Sequence, residues 1–310
     1  MKIYKEVTSV DLFLVILPVL IVFLIGYIGQ RVIGFNIKNI STVSLYLMSP
    51  FLAFRTFYTT ALTMDYLYIC LFAICLVIGL FIITWIWSQF LRTERSEFSA
   101  MMLGAVFMNS GNYGAPVVLF ALGSPGFHVA IIIMVLHSLF MNSLGIFFAA
   151  IGGKGQATVK QALRNVFRMP ILYACIIGII LQLIHLHVPE SVMNGVDLVA
   201  DASIPVVMLV LGMQLATMKK TRVKYRLVAS VSFIRIVISP LIAVAILWFM
   251  PVSDLIKSVL IIQAAMPSAA NTTMLALQFD TEPDLVSFTT FVTTIISIFS
   301  IPVVMHFIGI

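Results

Sequence analysis

The chain has 310 residues, of which 61% are hydrophobic and only 10% charged, and its formal net charge is +6. Roughly a quarter of the residues of a soluble domain are charged, so a water-soluble fold is excluded. The basic excess is read as membrane topology rather than as nucleic-acid binding.

Apolar runs of about 20 residues, each able to cross a hydrocarbon layer of roughly 30 Å as a helix, recur along the whole length. In chain order ten segments are predicted, at 10–29, 39–59, 65–90, 98–122, 126–150, 169–187, 193–216, 227–250, 255–278 and 284–308. They are continuously apolar rather than alternating, which disfavours a membrane barrel and predicts an all-α polytopic membrane protein. The first is read as a retained helix, because it is long for a signal peptide and no small-residue cleavage site follows it. Cys70, Cys75 and Cys175 fall inside predicted segments and form no disulfide, zinc or redox motif. No cofactor and no metal are expected.

Lysine and arginine divide unevenly between the two sides. The connections after segments 1, 3, 5 and 7 hold Arg31 and Lys38, then Arg92 and Arg95, then Lys154, Lys160, Arg164 and Arg168, then Lys219, Lys220, Arg222, Lys224 and Arg226. Only Lys2, Lys5 and Lys257 fall on the other side. These basic connections are therefore assigned to the cytoplasm, and both termini to the outside of the plasma membrane. The connection at 152–168 is the long one, and residues 159–168 place Lys160, Arg164 and Arg168 on one face at helical spacing, as in a short interfacial helix. It divides the chain into a first five-helix repeat (1–151), a cytoplasmic linker (152–168) and a second repeat (169–310). Because five is odd, the second repeat must be inverted, which is the plan of many secondary transporters.

Prolines support the division, since Pro50 and Pro116 in segments 2 and 4 are separated much as Pro205 and Pro267 are in segments 7 and 9. Residues 109–116 of segment 4 read Asn-Ser-Gly-Asn-Tyr-Gly-Ala-Pro, and two glycines with a proline should unwind a helix there. Segment 9 carries Gln-Ala-Ala-Met-Pro-Ser-Ala-Ala-Asn over residues 263–271, at similar depth. Irregular backbone inside a bilayer survives only where protein or a water-filled cavity satisfies it, so two breaks imply a cavity. Pro116 and Pro267 suit the first turn of a second half-helix, whose free N–H groups favour a carboxylate. The facing C-terminal ends partly offset that preference.

In those motifs the chain resembles the auxin efflux carrier family, which includes bacterial malate and malonate permeases and the plant PIN-FORMED exporters. The motif at 109–116, the stretch Ile-Pro-Val-Val-Met-Leu-Val-Leu-Gly-Met-Gln-Leu at 204–215 and Ala-Ala-Met-Pro-Ser-Ala-Ala-Asn at 264–271 carry the resemblance, which covers all ten segments. It implies a 5+5 inverted repeat in which segments 4 and 9 cross at their prolines, a mobile transport domain, and a scaffold that commonly forms a homodimer. It also implies a substrate beside the crossing, near Asn112, Tyr113, Pro116, Pro267 and Asn271, with Asn109, Gly114 and Ser268 completing the candidate set. The short central connection matches bacterial organic-acid carriers rather than the plant proteins.

Ionisable residues inside segments cost at least about 2.5–3.5 kcal/mol at the bilayer centre, and Arg55, Asp201, Arg235 and His137 each need a reason. Arg55 is read as snorkelling to the interface. Arg235, about 15 Å into segment 8, is open between a counter-charge for a substrate anion and a structural partner of Asp201 or of a backbone carbonyl. Asp197 and Asp201 share one face of segment 7. Asp201, expected to be buried, is the leading candidate for proton coupling, with His137 behind it.

The expected activity is secondary transport of a small organic anion of the malate or malonate type by alternating access, with the bilayer as the other partner and no nucleic acid. A sodium-coupled carrier of the bile-acid type is the alternative within transport. A non-transporting membrane sensor on the same scaffold is the alternative outside it. No HExxH or GxSxG motif suggests an enzyme.

Overall fold

The computed structural model describes residues 9–153, 164, 166–217 and 223–310. Among these the chain is nearly all helical, without a strand. Helix α1 is Ser9–Ile33. α2 (Ile37–Val43) runs through a π turn, Ser44–Met48, into α3 (Ser49–Thr59), and α4 is Asp65–Leu91. α5 (Arg95–Val106) stops short; a π turn, Ser110–Gly114, then opens α6 (Ala115–Phe140), and a further π turn, Met141–Gly145, leads to α7 (Ile146–Gly152). Beyond the linker come α8 (Pro170–Leu183), α9 (Glu190–Thr217) and α10 (Tyr225–Phe233), which passes through the π turn Ile234–Ile238 into α11 (Ser239–Trp248). α12 (Asp254–Ala264), α13 (Ala270–Phe279) and α14 (Pro283–Phe307) complete the described chain.

Six of these helical runs are long and apolar enough to cross a membrane: Leu14–Ile33, Asp65–Leu91, Ser110–Gly152, Glu190–Thr217, Tyr225–Trp248 and Pro283–Phe307. α8 is apolar but shorter. The run Ser110–Gly152 is not straight. Gly123 adopts φ 68°, a left-handed conformation open to glycine, and it falls between the two segments expected at 98–122 and 126–150. The interfacial helix expected at 159–168 lies outside the described residues except for Arg164 and 166–168.

Three of the π turns have one cause. Pro50, Pro116 and Pro240 each sit second in the helix that follows a π turn, where the residue before the proline donates its N–H to an oxygen five back: Ser49 to Ser44, Ala115 to Ser110, Ser239 to Ile234. A proline ring inside a helix strikes the carbonyl four residues earlier and supplies no N–H, and one wider turn removes that clash. Ser49 Oγ also donates to the Ser44 carbonyl at 2.9 Å. Pro205, paired with Pro50 by sequence position, differs: it lies within the unbroken α9.

Several helices approach closely through glycine. A Cβ at Gly26 of α1 would strike the Leu209 carbonyl of α9, and one at Gly212 of α9 would strike the Phe23 carbonyl of α1. Gly178 of α8 faces the backbone of Phe54 and Tyr58 in α3 in the same way. Apolar side chains gain nothing by leaving lipid for each other, so contact of this kind relies on backbone approach and van der Waals packing.

Candidate functional site: a cavity at two paired helix breaks

The chain is interrupted at both places singled out from the sequence. α5 ends at Val106 and the chain is irregular over 107–109; residues 110–116, expected to unwind, are instead wound as the π turn Ser110–Gly114 and the first residues of α6, while α12 ends at Ala264 and α13 begins at Ala270. The two breaks pair with each other. Asn109 N–H donates to the Pro267 carbonyl at 2.8 Å and Ala269 N–H to the Phe107 carbonyl at 2.9 Å, around an antiparallel bridge between Met108 and Ser268. Ser268 adds two bonds: its Oγ donates to the Gly104 carbonyl at 2.6 Å and its N–H to Thr293 Oγ1 at 3.2 Å. Backbone groups stripped of helical partners are thus satisfied by protein, as a site away from water requires.

Carbonyls at the two C-terminal ends are accounted for as well. Arg235 Nη1 donates to Ala105 at 2.9 Å and to Val106 at 3.3 Å. Its Nη2 donates to Ala264 at 2.6 Å and to Ser239 Oγ, and Ser239 Oγ in turn donates to Ala264 at 2.7 Å. Arg235 is fully buried. Of the readings open from sequence, the structure therefore selects the backbone carbonyls as its partners.

A cavity of about 1000 Å³ reaches the breaks. Asn109, Asn112, Pro116, His137 and Asn271 line it. Tyr113, Gly114, Pro267 and Ser268 do not line it: they form the packing behind the cavity wall. Tyr113 is buried with its ring edge-on to Phe23, centroids 5.1 Å apart. Gly114 lies so near the Gln263 side chain that a Cβ there would strike Gln263 Oε1. Pro267 and Ser268 are committed to the pairing bonds above.

Two expectations about charge are corrected. Asp201 is exposed at the protein surface rather than buried, and its Oδ1 lies 2.7 Å from Arg55 Nη1. Arg55 also pairs with Asp197 at 3.4 Å, so it is the shared partner of both carboxylates instead of a free snorkelling cation. The reason is helical spacing: positions i and i+4 put both acids on the face of α9 that meets α3. Neither Asp201 nor Arg235 lines the cavity.

Sequence reading missed part of the lining. Lys38 and Arg168, treated only as loop charges, line the cavity, as do Asn142 and Gln214. The available signal for Gln214 was its place in the stretch 204–215; for Asn142 there was none beyond polarity, and its Nδ2 donates to the Ser138 carbonyl at 2.9 Å.

At the start of α5 a clasp joins α5 to the start of α10. Glu97, buried, completes a capping box by accepting from the Glu94 N–H and pairs with Lys224. That carboxylate beside Lys224 holds the ammonium above the ordinary lysine range.

Comparison with known proteins agrees with a membrane carrier. The chain is 30% identical over 295 residues to an uncharacterised transporter of Methanothermobacter thermautotrophicus, covering 93% of this chain and 95% of that one. It is 25% identical over 297 residues to an uncharacterised transporter of Methanocaldococcus jannaschii, covering 92% and 94%. A family model described as membrane transport protein matches residues 11–305, and the chain belongs to that family, the one its resemblance to auxin efflux carriers pointed to.

Proposed function

We propose that the protein is a secondary transporter of a small organic anion of the malate or malonate type, working by alternating access in the plasma membrane. The observation that carries this reading is the cavity that ends on two paired helix breaks. Residues 110–112 and 270–271, at the N-terminal ends of the two resumed helices, line it, and such ends attract negative charge. Lys38, Arg168 and Asp284 line it too, and the two cations against one carboxylate leave positive charge for drawing an anion in.

The proposed architecture is ten spans in a 5+5 inverted repeat, with repeats at 1–151 and 169–310 and both termini outside. On that topology Lys38 and Arg168 are cytoplasmic, and the cavity opens inward. Asn109, Asn112, Pro116 and Asn271 are the proposed substrate contacts; Tyr113, Gly114, Pro267 and Ser268 hold them in place. His137, which lines the cavity, replaces the exposed Asp201 as the group assigned to any proton coupling. A homodimer built on the scaffold helices is part of the same proposal.

Counterflow of radiolabelled malate and malonate in proteoliposomes, with and without a pH or sodium gradient, tests it. Asn112→Ala and Asn271→Ala should each weaken uptake about tenfold, the loss of about 1.4 kcal/mol expected when a hydrogen bond to a charged group is removed. Full uptake in both variants would place the site elsewhere, and absence of counterflow for every organic acid tried would overturn the reading.

A further inference from the structure

An interrupted helix brings a problem along with its binding site. Each break exposes one N-terminal end of about +0.5 charge and one C-terminal end of about −0.5. Two breaks packed together therefore set two positive ends beside two negative ones, and their fields at the cavity would largely cancel. A site made only of broken helices has no strong reason to prefer an anion.

Arg235 removes that symmetry. One guanidinium reaches Ala105 and Val106 at the end of α5 and Ala264 at the end of α12. Its charge of +1 matches the roughly −1 carried by the two ends together. Its hydrogen-bond partners are neutral oxygens, the three carbonyls and the Ser239 hydroxyl, so no carboxylate consumes the charge. Arg235 is fully buried and does not line the cavity, whereas the opposite ends, at 110–112 and 270–271, do.

The residue type and its local backbone fit the task. A planar fork spreads five N–H donors over three nitrogens, so Nη1 can serve one helix end while Nη2 serves the other; the three donors of a lysine all leave from one nitrogen. Arg235 stands in the π turn Ile234–Ile238 that relieves Pro240. The wider turn also sets the face on which its side chain leaves the helix. Ser239, at the end of that turn, bonds both the guanidinium and the Ala264 carbonyl.

We propose that Arg235 is a charge-compensating and positioning residue: by capping the C-terminal ends of both interrupted helices it leaves the potential at the breaks to their N-terminal ends and so, alongside the lining charges Lys38, Arg168 and Asp284, favours an anion there. The consequence for transport rests on the anion-carrier reading. The charge cancellation stands without it.

A thiol placed at the cavity wall reads the potential directly, because a positive field stabilises the thiolate. Asn112→Cys would be made in the native, Arg235→Gln and Arg235→Lys backgrounds. The pH profile of its alkylation is followed by mass spectrometry of the peptide that carries it, so that Cys70, Cys75 and Cys175 do not interfere. With Arg235 present the midpoint should lie below the free-thiol value of about 8.5. In Arg235→Gln it should rise by about one pH unit, and Arg235→Lys should fall between. An unmoved midpoint in a folded Arg235→Gln protein overturns the proposal.

Should Arg235→Gln not fold, Arg235→Lys decides. Three donors on a single nitrogen cannot serve all four oxygens that the two guanidinium nitrogens bond on separate elements, so amide exchange at 107–109, 265, 266, 268 and 269 should quicken about tenfold; unchanged exchange with an unmoved midpoint overturns the proposal. A native protein that transports no carboxylate yet shows the Arg235-dependent midpoint would remove the carrier reading and keep the compensation. Malate counterflow with an unmoved midpoint would do the reverse.

Discussion

Helices α1 and α9 meet through Gly26 and Gly212, each facing a carbonyl of the other helix with no room for a side chain. The paired breaks of α5/α6 and α12/α13 meet through Asn109, Ser268 and Arg235, whose bonds run between backbone groups and polar side chains. In water both contacts would be dominated by burial of apolar surface, but in lipid that difference vanishes, leaving close packing and hydrogen bonds as the two available cements. The glycine contact is featureless and rigid, suited to a support. The polar contact leaves helix ends beside a cavity, so the energy that joins the chain there also shapes a site.

If that contrast is right, the glycine contact should be the least tolerant of change. Gly212→Ala drives a Cβ into the Phe23 carbonyl, a backbone atom that cannot swing aside, and should cost about 3 kcal/mol or more, seen as a lower thermal unfolding midpoint in detergent. A neutral result would mean that α1 and α9 separate easily and are no rigid support. Ser268→Ala removes one interhelical bond, to the Gly104 carbonyl, and should cost about 1 kcal/mol, with faster amide exchange at 107–109 than in α1. Arg55→Gln breaks pairs whose carboxylates are largely exposed, so it should cost under about 1 kcal/mol and leave uptake nearly intact. A large loss there would make the α3–α9 contact a third kind of joint, held by charge.

The smallest expected effect belongs to the Lys224–Glu97 clasp. Its lysine is raised above the ordinary range by the carboxylate, so its contribution is fully present below the unfolded lysine value of about 10.4 and disappears as pH rises through the folded value. The midpoint difference between the native protein and Lys224→Met should therefore be flat from about pH 6 to pH 9 and shrink only in strong alkali. A difference that fades near neutrality would point to another titrating group.

Both breaks were legible because prolines mark them: Pro116 stands in the first turn of the helix that follows one, and Pro267 sits among small residues in the other, whereas Gly111 and Gly114, expected to unwind, lie inside the π turn. The division of labour within the motifs was not. Asn112 faces the cavity while its neighbour Tyr113 packs on Phe23, and one residue of helical phase decides between them. The π turn ahead of Pro116 sets that phase, and apolar periodicity does not register such a turn. Arg55 and Asp201 were judged by depth along separate helices, so their pairing, between residues far apart in the chain, went unseen.

Composition and apolar run length by themselves determined that this is a helical membrane protein, because a chain so poor in charge has no other solvent in which to fold, and glycine and proline determined where two of its helices must fail. Only the tertiary structure decided what those failures are joined to. A buried guanidinium bonds whichever oxygens surround it, and the carbonyls that surround Arg235 come from α5 and α12, helices that lie far from each other along the chain.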